Sequence, residues 1–124
     1  SQRTEHHAIE AAYAKKRGDE NAALAEFAKM AAANPGDKIA IAGLGTSLLR
    51  LGRYAEAAAA LEQALPAVGA TADALVPQDL AVAYVMMNET VKAESVLKRY
   101  YPTEQVAPRL AQARETAATL KARR

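Results

Sequence analysis

Apolar and small residues recur along this chain at three- and four-residue steps, and the pattern itself repeats. Displacing the sequence by about 34 residues sets Ala11 on Gly45, Gly18 on Gly52, Ala23 on Ala57, Phe27 on Leu61 and Met30 on Ala64. A further displacement of about 36, with two residues inserted before Asp73, sets Gly45 on Ala81, Leu48 on Tyr84, Ala57 on Ala93 and Leu61 on Leu97. Three copies of one unit follow, at about 4–37, 38–71 and 74–107.

Each copy reads as two helices joined by a short turn. Pro35, Gly36 and Asp37 separate the first copy from the second, with Asp37 placed to cap the next helix. Gly18 and Gly52 fall at inner turns, where a helix commonly ends on a left-handed residue. Asn88 takes that place in the third copy. Pro77 is compatible with a helix capped by Asp73, because the first turn needs no backbone donor at that point. Gly45 and Ala57 are expected to be small because the two helices of a pair cross there, with Leu48 and Leu61 filling the space beside them.

Beyond Tyr100, Tyr101 and Pro102 a further helix is predicted over about 103–122, with Thr103 as its N-cap. Val106, Leu110, Ala113, Ala117 and Leu120 form its apolar stripe; Arg109, Gln112, Arg114, Glu115 and Lys121 form the other face. It is expected to cover the flank of the third copy, since one pair of helices cannot bury its own apolar surface. A free membrane-surface helix is the alternative, but the stripe is too rich in Ala to bind lipid strongly.

A helix–turn–helix unit of this length, with Leu44, Gly45, Leu48, Gly52, Arg53, Tyr54, Ala57, Leu61 and Ala64 in the middle copy, resembles the tetratricopeptide repeat. The departures are Glu10 in the first copy and Pro77 in the third, which also lacks the closing Pro. The resemblance implies an all-α fold: a right-handed α-α superhelix of three helix pairs and a C-terminal capping helix, forming one domain over 1–124. A looser likeness lies in residues 79–114, where Ala93, Glu94, Leu97 and Arg99 precede an Ala-rich helix. That segment resembles the TadD-type tetratricopeptide repeat lipoproteins of tight-adherence (Flp) pilus assembly. It implies a bacterial pilus or secretion role at the periplasm or outer membrane; without it the cytoplasm is the expectation.

Composition narrows the chemistry. The 124 residues are 51% hydrophobic but only 5% aromatic, with no Trp and no Cys, so thiolate metal sites and disulfides are excluded. The formal charge of +2 owes three positive charges to Lys121, Arg123 and Arg124, a basic tail and not a basic face, so no nucleic-acid footprint is expected. No run approaches the roughly 18 apolar residues of a membrane span. No signal peptide is visible, and the chain opens on Ser1, as a mature or trimmed fragment would. His6 and His7 are adjacent, so on a helix they point about 100° apart and do not share an ion. The Gly-Leu-Gly-Thr at 43–46 falls inside a helix and reads as packing, not as a phosphate loop. Lys15, Lys16 and Arg17 suit the negative end of a helix. No nucleophile–base spacing is present, so no enzyme and no cofactor is expected.

In tetratricopeptide arrays the first helix of each pair lines a concave face. The resemblance therefore implies a peptide-binding groove of Ala8, Ala12, Lys15 and Lys16, then Ala42, Thr46, Leu49 and Arg50, then Gln78, Val82, Val85 and Met86. Ala12, Thr46 and Val82 stand where the family's carboxylate clamp would need polar residues, so a chaperone tail is not the expected ligand. Leu49, Val82 and Met86 are the expected apolar anchors, with Lys15, Lys16 and Arg50 as a cationic rim. The expected partner is an extended apolar peptide or the apolar side of a helix. The alternative is a self-associating structural module of a larger repeat protein, without a peptide ligand.

Overall fold

The computed structural model describes residues 19–65 and 76–122, and among them six helices and no strand. They are α1 (Glu20–Ala33), α2 (Lys38–Arg50), α3 (Tyr54–Ala64), α4 (Val76–Met86), α5 (Thr90–Tyr100) and α6 (Thr103–Ala122). The chain divides between Ala64 and Leu65 into two compact units, which hold α1–α3 and α4–α6.

In the first unit, side-chain caps start the helices. The Asp19 carboxylate accepts from the Ala22 N–H at 3.0 Å, and Asp37 accepts from the Ala40 N–H at 3.1 Å. Between α1 and α2, Asn34 Oδ1 accepts from the Gly36 N–H at 3.2 Å and tightens the turn around Pro35. The α2–α3 turn needs a left-handed residue: Gly52 has φ 81°, its N–H donates to Leu49 O, and the Arg53 N–H reaches back to Leu48 O at 2.9 Å. That pair of bonds is the Schellman motif, which satisfies two carbonyls at a helix end.

Two glycines let α2 sit close to both neighbours. A Cβ on Gly45 would lie 2.6 Å from Leu61 Cγ and 2.8 Å from Leu61 Cδ2 of α3. A Cβ on Gly43 would overlap the Phe27 ring of α1. Phe27 and Leu61 are thus knobs from the flanking helices, each entering a gap left by a missing side chain. Ala57 is fully buried on α3, and Leu48 is buried on α2. The knob that meets Gly45 is Leu61.

The second unit repeats the device with different residues. Asn88 has φ 61°, the Glu89 N–H donates to Tyr84 O at 2.8 Å, and the Asn88 N–H donates to Val85 O at 3.0 Å, giving the same motif as at Gly52. Pro77 lies in the first turn of α4, where its missing N–H costs nothing; Asp73 falls outside the described residues. Ala81, Ala93 and Leu97 are fully buried and Leu80 nearly so. The first part of α4 is buried on all sides, from Val76 through Leu80 to Ala83, apart from half-buried Asp79.

Helix α6 packs against both α4 and α5 through Val106, Ala113 and Ala117, with Leu110 and Leu120 half-buried beside them. Its opposite side, from Gln112 and Arg114 to Thr116 and Lys121, is exposed. Thr103 is its first helical residue and not its cap. Residues 103–107, where the third copy and the last helix were expected to overlap, belong to α6. The helix also runs through Pro108, whose ring removes one backbone hydrogen bond.

Candidate functional site

On α2, four residues share a face that is at least partly open to solvent. Ile39, Ala42, Thr46 and Arg50 recur at steps of three and four residues and so share one side of the helix. Ile39 is 81% exposed, Ala42 and Thr46 are half-buried, and Arg50 is exposed. The Thr46 hydroxyl donates back to Ala42 O at 3.0 Å, so the polar group is turned inward along the helix. The face presented outward thus runs from the exposed Ile39 through the small side chains of Ala42 and Thr46 to the charged Arg50.

Arg50 is anchored. Its Nη1 lies 3.1 Å from Glu20 Oε1 in the first turn of α1. An exposed pair of this kind contributes at most about 1 kcal/mol to stability, but it fixes where the guanidinium sits and offsets its charge. The other Glu20 oxygen is buried without a hydrogen bond.

The remaining predicted groove residues divide into three groups. Ala8, Ala12, Lys15 and Lys16 lie outside the described residues, as do His6, His7 and Gly18. Val85 and Met86, near the end of α4, are half-buried. Leu49, Val82 and Gln78 are buried, at 4%, 1% and 7% exposure. This corrects the expectation of Leu49 and Val82 as solvent-facing anchors, because both belong to the cores of their units.

Gln78 shows why on α4. Its Nε2 donates to the Arg109 carbonyl of α6 at 2.9 Å, so this side of α4 is turned to α6. Val82 lies one turn further on the same side. The Arg109 guanidinium stacks on the Tyr101 ring at 3.6 Å and its Nε donates to Gln105 Oε1 at 3.1 Å. Burial raises the pKa of the Tyr101 hydroxyl above the ordinary value; the nearby Arg109 charge and the Gln78 backbone pull it part of the way back. Gln78, Tyr101 and Arg109 thus fasten α6 over α4.

Two clefts lie elsewhere. On the side of α2 opposite Ile39, Ala31 and Pro35, with Ile41, Leu44, Leu48 and Ala60, line a cleft of about 370 Å³. In the second unit, Val106, Ala107 and Leu110 line one of about 450 Å³, with Glu94 and Lys98 at its rim. Those two are paired at 2.7 Å, and Lys98 holds the Glu94 carboxyl below its ordinary pKa. Among the described residues, no cluster of three His, Asp or Glu could hold a metal ion, and no helix is long and apolar enough to cross a membrane.

Helix pairs closed by the same turn motif, small residues at the crossings and one exposed face on a first helix define an α-helical repeat protein. A family model for the tetratricopeptide repeat matches residues 14–75, half of the chain, and the chain belongs to that family. Such repeats generally mediate protein–protein interaction, and the family is a non-catalytic scaffold. A search of curated proteins returns no match. The family match ends before residues 79–114, so the likeness of that segment to pilus-assembly lipoproteins gains no support from it.

Sequence reasoning passed over Ile39. The signal was present: Ile39 begins the same three- and four-residue series as Ala42, Thr46 and Arg50.

Proposed function

We propose that this protein is a binding scaffold whose ligand is an apolar segment of another protein, either an extended peptide or one side of a helix, seated along α2. The observation that carries this reading is the outward series Ile39, Ala42, Thr46 and Arg50, with an exposed Ile at one end and small residues at its centre. Small central side chains allow close backbone approach, and Ile39 supplies apolar area at one end. Val85 and Met86 stand as a separate proposed contact within the second unit, and Ala8, Ala12, Lys15 and Lys16 stay proposed from the family resemblance alone; Leu49, Val82 and Gln78 leave the reading as direct contacts. No turnover is part of the reading.

The test begins with peptides selected against the wild-type protein from a random library. Their affinities are then measured for Ile39→Asp, for Thr46→Glu, and for Val91→Asp as a control at an exposed apolar position of the second unit. The first two variants should each weaken binding by about tenfold or more, as loss of an interface anchor does, while the control binds as wild type. Equal affinities across all three variants would overturn the assignment to α2. Sedimentation of the same proteins separates the self-association reading: a wild-type dimer that dissociates in Ile39→Asp puts a second copy on this face.

A further inference from the structure

We draw no further inference here: the strongest candidate, the cleft between α5 and α6 floored by Val106, Ala107 and Leu110, is rimmed by Glu94 and Lys98 that are already paired with each other, and nothing in the structure shows what covers it.

Discussion

Gly45→Ala tests the packing of α2 on α3 with a single carbon. The added Cβ would sit 2.6 Å from Leu61 Cγ and 2.8 Å from Cδ2. Ordinary carbon–carbon contact is about 3.5–4.0 Å, so Leu61 must retreat by roughly 1 Å. It is fully buried, so its side chain has no open space to enter. The Leu61 backbone nitrogen lies 3.3 Å from the same Cβ, so α3 itself must also give. Overpacking of this kind typically costs about 1–3 kcal/mol. Replacing Gly by Ala in a helix interior returns about 1 kcal/mol. The expected outcome is a net loss of about 1 kcal/mol, read as a lower urea midpoint by far-ultraviolet circular dichroism. Gly43→Ala should lose less, because it meets the ring edge of a half-buried Phe27. A double-mutant cycle makes the argument specific. In a Leu61→Ala background the overlap is gone, so Gly45→Ala should turn stabilising. A higher midpoint for Gly45→Ala alone, or the same loss in both backgrounds, would refute the close crossing.

Leu49→Ala should lower stability by about 2–5 kcal/mol, as truncation of a buried Leu does, and a variant that melts like wild type would show that Leu49 is not core. Ser47→Ala should raise the urea midpoint, by up to about 1 kcal/mol, because the Ser47 hydroxyl is fully buried without a partner; a loss of stability would reveal a hydrogen bond at that hydroxyl. The raised Tyr101 pKa predicts alkaline weakening: its folded-state value lies above the unfolded value near 10, so its contribution is intact below about pH 10 and is lost as pH rises toward the folded value. Tyr101→Phe should therefore flatten the fall in urea midpoint above about pH 10, and parallel profiles for the two proteins would remove Tyr101 as its cause.

The turns were the most legible part of the fold because they depend on single residues with special backbone needs. Gly52 and Asn88 both adopt positive φ, and few other residues tolerate it. Asp37 capping α2 was equally readable, since its carboxylate needs only a position three residues before the N–H it accepts from. The last helix was equally readable: the break at Tyr100, Tyr101 and Pro102 put its start at Thr103, where α6 begins. Pro108 lies inside this helix and does not break it. Val106 before it and Ala113 and Ala117 after it are all buried, so packing on both sides holds one helix together across the lost hydrogen bond.

The groove was less legible because periodicity reports which residues share a face and not which neighbour covers that face. Gln78 looked like a solvent-facing polar group, yet its amide is spent on the backbone of α6. Val82 followed it into the core, and an apolar residue on such a face gives no sign of which environment it will meet. On α2 the same reasoning went wrong only at Leu49, at the edge of the exposed arc, and left Ala42, Thr46 and Arg50 accessible. The ion pair with Glu20 changes what Arg50 contributes to the proposed binding. A guanidinium already facing a carboxylate at 3.1 Å projects less net field than an isolated cation, so it steers an acidic ligand weakly. Its planar donors still supply directional hydrogen bonds. On the proposed reading, affinity therefore rests on the apolar area at Ile39 and on the close approach that Ala42 permits. Raising salt should then slow association by α2-selected peptides only slightly, in contrast to a ligand captured by a cationic rim.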